Sequence, residues 1–174
     1  MRKNVRQSEK ADLKRTITLN VNGQIHRLEV ENRWTLLKVL REKLGLTAAK
    51  RACDTGECGA CTVVIEDQHS EKPVLSCLML AVDAEGKKIL TLEGLSKDGK
   101  LHPIQEAFVQ TNALMCGFCT PGTVMTTKVL LDKTPRPTQD EIRRALVGNL
   151  CRCGLYPRLV EAVLLASKKM ASGE

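Results

Sequence analysis

Apolar and polar positions begin to alternate after residue 15, over residues 16–21 and again over residues 26–30. Alternation with a period of two predicts β-strands that bury one face. Asn22 and Gly23 stand between the two runs, and this dipeptide is typical of two-residue hairpin turns. This part of the sequence therefore predicts a β-hairpin.

A helical repeat follows the hairpin and is carried by Leu36, Leu37, Leu40 and Leu44. Gly45 comes directly after the repeat and is placed to end the helix. Three later segments have the patterning of strands, at residues 62–66, 74–82 and 88–92. The order of two strands, one helix, a loop and three strands predicts a β-grasp domain over residues 16–92, in which the helix packs across a mixed sheet.

The second half of the chain has helical patterning, and a polar connector over residues 93–101 separates it from the first half. Helices are predicted over residues 102–113, 122–131 and 138–147 and from Pro157 onward. Pro103 suits a first helical turn, and Thr138 with Glu141 forms a capping-box pattern. The predicted fold class is α+β, with the β-grasp domain followed by a four-helix bundle over residues 102–170.

The formal net charge is +7, and much of it lies in a basic segment over residues 1–15. Such a segment at a chain end is typical of a solvated, disordered tail. Aromatic residues make up 2% of the chain, too few to stack bases, so we expect no nucleic-acid partner. Neither a membrane span nor a secretory signal is predicted. We therefore expect a cytoplasmic protein, in which grouped cysteines bind metal rather than form disulfides.

The eight cysteines fall into two groups of four. The first group consists of Cys53, Cys58, Cys61 and Cys77. Its first three members follow the plant-type ferredoxin spacing C-x4-C-x2-C, so we expect a [2Fe–2S] cluster, which Cys77 reaches from a strand. Gly56 and Gly59 permit the positive φ and the close backbone approach with which one loop delivers three thiolates. The alternatives are buried structural thiols or a zinc site, although zinc usually takes two C-x2-C pairs or adds histidine.

The second group consists of Cys116, Cys119, Cys151 and Cys153. The first pair lies where one predicted helix ends and the next begins, and the second pair lies in a later turn between helices. Cys119 is next to a helix N-terminus, whose partial positive charge favours a thiolate. If the two turns face each other, the four thiolates suit a second [2Fe–2S] cluster. Zinc or a redox-active dithiol is the alternative for the C-x2-C pair.

Three histidines and two acidic loop residues are the other side chains with chemistry to offer. None of His26, His69 and His102 repeats at a metal-ligand spacing, so we expect surface or helix-capping roles. Asp54 and Glu57 lie inside the first cysteine loop and are expected to be solvated charges that bias a cluster towards lower potential. We find no nucleophile–base pair and no phosphate-binding loop, so we predict neither a catalytic residue nor a substrate site.

Three segments of the chain resemble the small iron–sulfur subunit of the molybdenum hydroxylases, the family of xanthine dehydrogenase, aldehyde oxidoreductase and carbon monoxide dehydrogenase. They are residues 53–63 (CDTGECGACTV), 116–122 (CGFCTPG) and 148–157 (GNLCRCGLYP). The resemblance covers residues 16–170. It implies that the first cysteine group holds a ferredoxin-like cluster and that the second holds the cluster of a four-helix domain. It also implies a large partner subunit that binds molybdopterin, and a flavin subunit with FAD or another electron acceptor.

The resemblance further implies a direction of electron transfer. Electrons leave the molybdenum site, pass the helical-domain cluster first and the ferredoxin-like cluster second, and then reach the acceptor. Family members commonly carry a glutamine that contacts the pterin, just before the first cysteine of the helical domain. This chain has Met115 there, and a thioether is only a weak hydrogen-bond acceptor, which argues against this pterin contact.

Two other classes of protein share some of these features. One is a free ferredoxin-like carrier that docks transiently with its partners, and the other is a structural module stapled by zinc. A permanent subunit should expose apolar surface on its helical domain, where an interface forms. Labile sulfide and bound iron, in place of zinc, separate the electron-transfer proteins from the structural module.

Overall fold

The computed structural model describes residues 13–67 and 70–172. Five strands form one sheet in the N-terminal half: β1 (Lys14–Val21), β2 (Gln24–Glu31), β3 (Thr62–Glu66), β4 (Glu71–Leu75) and β5 (Lys88–Leu90). Their order across the sheet is β2-β1-β5-β3-β4. β1 and β5 run parallel and the other neighbours run antiparallel. This mixed sheet confirms the predicted β-grasp arrangement.

The predicted hairpin joins β1 to β2. Asn22 and Gly23 have φ values of 53° and 82°, the left-handed conformation that a tight hairpin turn requires. Ile17 and Leu19 of β1 are completely buried, so the alternating face packs inward as predicted. β1 begins at Lys14, two residues before the predicted boundary, and residues 1–12 of the predicted tail lie outside the described residues.

One helix lies across the sheet. α1 (Leu36–Lys38) begins at Thr35, whose hydroxyl accepts a hydrogen bond from the N–H of Lys38, and the helix continues as a π-helical turn over Val39–Lys43. It ends before Gly45, which has a φ of 69° as predicted for a terminating glycine. The leucines of this segment form the core of the N-terminal half together with β1 and β3.

The strand predicted over residues 74–82 is wrong in extent. β4 ends before Cys77, and the chain turns through that cysteine into a short 3-10 helix at Ala81–Ala84. The carbonyl oxygens of Ser76 and Met79 accept hydrogen bonds from the first N–H groups of α1, which have no partners inside their own helix. Because these carbonyl groups bind α1, the chain after Leu75 leaves the sheet. Cys77 therefore lies in a turn rather than on a strand.

Four helices make up the C-terminal half: α2 (Pro103–Gln110), α3 (Thr120–Lys133), α4 (Gln139–Ala145) and α5 (Tyr156–Ser172). Each overlaps the segment predicted for it. Nδ1 of His102 accepts the N–H of Ile104 and caps α2, which confirms a capping role for this histidine. Thr138 and Glu141 form the predicted capping box at α4. Within the described residues, no helix has the length and apolar character needed to cross a bilayer.

The two halves pack against each other through α3. Val64 of β3 is buried together with Met125 and Val129 of α3. Lys128, on the same helix, forms ion pairs with Glu71 of β4 and with Asp132. This contact between α3 and the sheet sets the position of one cysteine group relative to the other.

Two candidate cysteine centres

The first candidate centre contains Cys53, Cys58, Cys61 and Cys77, which the structure brings together as two pairs. The Sγ atoms of Cys61 and Cys77 lie 3.3 Å apart, and the thiol of Cys58 hydrogen-bonds to Cys53. Three of the four come from the loop between α1 and β3, and the fourth comes from the turn after β4. All eight cysteines of the chain are free thiols.

The loop of the first centre folds tightly because three of its residues adopt positive φ. Gly56 and Gly59 have φ values of 83° and 70°, which agrees with the positive φ predicted for them. Asp54 also has a positive φ, 58°, and Arg51 holds it by an ion pair of 3.1 Å. The sequence pattern did not reveal this third position, although aspartate tolerates the left-handed region better than most residues.

The thiols of the first centre differ in their readiness to ionise. Amide and side-chain hydrogen bonds from Thr55 and Cys58 lower the pKa of Cys53 to about 5. Burial and the adjacent thiol of Cys61 raise the pKa of Cys77 to about 12. The surroundings of Cys53 thus favour its thiolate. A bound cation has to supply the charge that holds Cys77 as a thiolate.

The second candidate centre contains Cys116, Cys119, Cys151 and Cys153, again as two pairs. The turn between α2 and α3 carries the first two, and the turn between α4 and α5 carries the others. The Sγ atoms of Cys116 and Cys153 lie 3.6 Å apart, and the thiols of Cys119 and Cys151 hydrogen-bond to each other. The latter pair is buried and the former is exposed.

Cys119 is not the favoured thiolate that its place at the start of α3 predicted. Burial and the adjacent thiol of Cys151 raise the pKa of Cys119 to about 12. At Cys151 burial also acts to raise the pKa. Hydrogen bonds outweigh this effect and lower the pKa of Cys151. They come from the N–H of Leu155, the thiol of Cys119 and the N–H of Cys153. Burial therefore overrides the helix end at Cys119, and the turn before α5 favours the thiolate instead.

Both centres have the donors and the spacing that suit a [2Fe–2S] cluster. Two thiolates on one tetrahedral metal with bonds of ~2.3 Å lie roughly 3.8 Å apart, and the two measured Sγ–Sγ distances are 3.3 Å and 3.6 Å. Thiols in pairs at these separations suit two irons that take two cysteines each.

A hydrogen bond connects the two centres directly. The N–H of Leu150, the residue before Cys151, donates to the carbonyl oxygen of Cys58 at 2.9 Å. Beside it, Nδ2 of Asn149 donates to the carbonyl oxygen of Gly59 at 3.2 Å, and this bond is buried. The backbone of the first cysteine loop therefore rests on the second cysteine turn.

Glycines make this approach of the two backbones possible. A Cβ atom added to Gly122, in the first turn of α3, would lie 2.1 Å from the carbonyl oxygen of Gly59. A Cβ atom on Gly59 would lie 2.2 Å from the carbonyl oxygen of Gly148. Close backbone approach was predicted for Gly59 within its own loop, and the structure shows that the loop also approaches the turn at Gly148. Glycines in both later segments, 116–122 and 148–157, were the available signal.

Exposed apolar residues flank the cysteines of the second centre in the sequence. We call this set the apolar rim, and it consists of Leu114, Met115, Phe118 and Leu150, all of them exposed. Met115 is the most exposed of the four, at 64%, and it directly precedes Cys116. Contiguous exposed apolar side chains mark surfaces that bind other molecules.

The remaining candidate residues have ordinary surroundings. Asp54 and Glu57 are exposed, which agrees with solvated loop charges. His26 lies in β2, where it pairs with Leu19 of β1. His69 lies outside the described residues.

Two family models match the chain. The one described as "2Fe-2S iron-sulfur cluster binding domain" matches residues 19–82, and the one described as "[2Fe-2S] binding domain" matches residues 91–164. The first range contains the whole first centre and the second range contains the whole second centre. Each half of the chain therefore corresponds to one cluster-binding domain.

Several characterised proteins are similar over nearly the whole chain. The nicotinate dehydrogenase small FeS subunit of Eubacterium barkeri is 46% identical over 157 residues, which are 90% of this chain and 98% of the relative. Quinoline 2-oxidoreductase of Pseudomonas putida 86 has a chain that superposes with a TM-score of 0.86 at 40% identity, covering 93% of this chain and 99% of that one. The aldehyde oxidoreductase of Desulfovibrio desulfuricans gives a TM-score of 0.83 at 40% identity, with 91% of this chain matching 17% of that larger chain.

These matches define an electron-transfer protein with two [2Fe–2S] domains. The chain belongs to the family of small iron–sulfur subunits of molybdenum hydroxylases, which includes those of xanthine dehydrogenase, aldehyde oxidoreductase and nicotinate dehydrogenase. It is a subunit of an oxidoreductase complex, and among its homologues molybdenum is carried by other parts of the complex. The resemblance, the α+β fold class and the electron-transfer function expected from the sequence are thereby confirmed.

Proposed function

We propose that each centre binds one [2Fe–2S] cluster, with Cys53, Cys58, Cys61 and Cys77 as ligands of the first and Cys116, Cys119, Cys151 and Cys153 as ligands of the second. When bound, such a cluster accepts and gives up one electron at a time. The chain holds the thiols in pairs, shields one pair of each centre from water, and fixes the separation of the centres. The paired Sγ–Sγ distances support this ligand assignment.

The hydrogen bond between Leu150 and Cys58 is the observation that carries the proposed relay. It joins the residue before Cys151 to a ligand of the other centre, at 2.9 Å. A continuous route of covalent bonds and one hydrogen bond therefore connects the two ligand sets. Two structural zinc sites gain nothing from such a connection, whereas a short route of bonds favours electron exchange between two clusters.

We propose that the second centre receives electrons from the large molybdopterin-binding subunit. Its outer pair, Cys116 and Cys153, is exposed, and the apolar rim flanks the cysteines of this centre in the sequence. An apolar surface of this kind suits a permanent interface rather than the transient docking of a free carrier. Met115 places a thioether at this surface, so the contact there is apolar rather than a hydrogen bond to the pterin.

We propose that the first centre passes the electrons on to a flavin subunit with FAD or to another acceptor. Cys53 and Cys58 are only half-buried, so this centre also reaches the surface. The proposed domains are residues 16–92 for the ferredoxin-like unit, 93–101 for the linker and 102–170 for the helical unit. A reducing, cytoplasmic location suits eight free cysteines that serve as cluster ligands.

Electron paramagnetic resonance of the reduced full chain tests the cluster assignment. After reconstitution and reduction with dithionite, we expect two distinct signals of about one spin each, with about four iron and four labile sulfide atoms per chain. Bound zinc without labile sulfide would contradict the proposal. A single signal would leave only one of the two centres as a cluster site.

A pair of matched substitutions tests the interface assignment. Met115→Asp places a charge in the apolar rim, whereas Ile25→Asp places one on β2 at a residue of similar exposure, 67% against 64%. We expect Met115→Asp to reduce co-purification of the molybdenum-containing large subunit at least tenfold, and Ile25→Asp to leave it unchanged. Equal retention of the large subunit by both variants would contradict the proposed interface.

A further inference from the structure

The only tyrosine of the chain lies against the backbone of the second centre. Tyr156 opens α5, and its hydroxyl oxygen accepts a hydrogen bond from the N–H of Cys151 at 2.9 Å. Cys151 is buried, at 7% exposure, whereas Tyr156 is 45% exposed and lines the groove between α4 and α5. The phenol thus reaches from the surface to a backbone group of a proposed cluster ligand.

This hydrogen bond differs from the others in the same turn. The N–H groups of Leu155 and Cys153 lower the pKa of the Cys151 thiol by hydrogen bonding, and the N–H of Gly154 donates to the carbonyl oxygen of Cys151 at 3.3 Å. The N–H of Cys151 itself is directed at the phenol oxygen instead. N–H groups that point at cluster sulfurs raise the reduction potential. The N–H of Cys151 donates to Tyr156 instead, so it does not contribute to this effect.

We propose that Tyr156 is a positioning residue that keeps the reduction potential of the helical-domain cluster low, by holding the Cys151 N–H away from the sulfur atoms. This inference rests on the proposed function, because it requires a cluster at the second centre. The phenol acts through the backbone and is not a ligand. By lowering one potential and not the other, the Tyr156 hydrogen bond helps to set the order in which the two clusters are reduced.

Two physical effects of the phenol hydroxyl have the same sign. A reduced cluster carries one more negative charge than an oxidised one, and a nearby N–H dipole stabilises that charge. The phenol oxygen places partial negative charge beside Cys151, which disfavours reduction. Removal of the hydroxyl therefore raises the potential, whether the freed N–H turns towards sulfur or binds water.

The test is a redox titration of the reconstituted full chain carrying Tyr156→Phe, followed by electron paramagnetic resonance. At the midpoint of the unsubstituted helical-domain cluster, we expect the ratio of reduced to oxidised cluster to rise at least threefold. This corresponds to about 28 mV for a one-electron couple, at 59 mV per tenfold change. The ferredoxin-like cluster of the same molecule is the internal control and should keep its potential.

Val147→Ala is the matched control variant. Val147 is 79% exposed and lines the same groove as Tyr156, so its truncation alters the groove without removing a side-chain hydrogen bond. We expect both clusters of this variant to keep their potentials.

Three outcomes of the titration would overturn the inference. They are an unchanged helical-domain potential in Tyr156→Phe, an equal shift of both clusters, and an equal shift in Val147→Ala. Selective loss of the helical-domain cluster in Tyr156→Phe would also overturn it, because Tyr156 would then be needed for folding of the turn. Absence of that cluster from the unsubstituted chain is a separate result, and it contradicts the proposed function instead.

Discussion

The two cysteine centres have the same composition but are assembled differently. In the first, one loop between α1 and β3 supplies three of four cysteines, and positive φ values at Gly56 and Gly59 shape that loop. In the second, two turns between different helix pairs supply two cysteines each. A single loop thus builds most of one centre, whereas the packing of α2 to α5 has to build the other.

The centres also place their favoured thiolate differently. In the first, the pKa of half-buried Cys53 is lowered by hydrogen bonds from Thr55 and Cys58. In the second, the pKa of buried Cys151 is lowered, because N–H groups of its own turn outweigh burial. The first centre therefore presents its negative charge near the surface, and the second holds it inside. Two sites with equal ligands can thus bind the same kind of cluster in different electrostatic surroundings.

Removal of one buried cysteine from each centre is expected to have the largest effect. Cys77→Ser should abolish the ferredoxin-like signal and Cys119→Ser the helical-domain signal, each with loss of about half of the bound iron, because each cluster needs four thiolates. Electron paramagnetic resonance and iron analysis of the two variants measure this. If either substitution removed both signals, the two centres would not be separate units.

A substitution at the contact between the centres tests whether their connection depends on close packing. In Gly122→Ala the new Cβ would lie 2.1 Å from the carbonyl oxygen of Gly59, so the two backbones must move apart. We expect a loss of about 1–3 kcal/mol in the free energy of unfolding, measured by denaturant titration. Magnetic coupling between the reduced clusters should weaken as well.

Gly148→Ala is the control for this substitution. Gly148 lies at the same contact, but a Cβ atom there has nothing within 4 Å. Its stability and magnetic coupling should match those of the unsubstituted chain. Equal destabilisation of both variants would show that backbone freedom, rather than close approach, explains the glycines.

The smallest expected effect is a pH dependence of local stability at the start of α2, in the helical half only. Burial lowers the pKa of His102 below its usual 6.5, and neutral Nδ1 accepts the N–H of Ile104. Because the unfolded chain binds the proton more readily, this contribution to stability is present above pH 6.5 and is lost as the pH falls through the lower folded pKa. The hydrogen-exchange protection of the Ile104 amide, corrected for intrinsic rates, should fall several-fold between pH 7.5 and 5.5.

His102→Asn replaces the cap with one that does not titrate. In this variant the protection of the Ile104 amide should no longer depend on pH in that range, and amides of β3 should behave alike in both proteins. Persistence of the pH dependence in His102→Asn would assign it to another group.

Local patterns in the sequence predicted most of the elements. Asn22-Gly23 predicted the hairpin because its turn needs two left-handed residues, and Thr138 with Glu141 predicted the start of α4 because their capping bonds are local. The strand over residues 74–82 failed because its apolar pattern is the same in a strand and in a buried turn. The start of α1 binds the carbonyl groups of this segment, and it is too distant in the sequence for a local pattern to reveal it.

The sequence by itself determined that there are two groups of four cysteines, the family and the order of the two domains. These follow from spacing within short segments, where neighbouring residues decide the geometry. Only the tertiary structure decided that Leu150 bonds to Cys58, that Gly122 meets Gly59, and that Cys151 rather than Cys119 has the lowered pKa. Those features depend on burial and on contacts between segments far apart in the chain, and no local pattern encodes them.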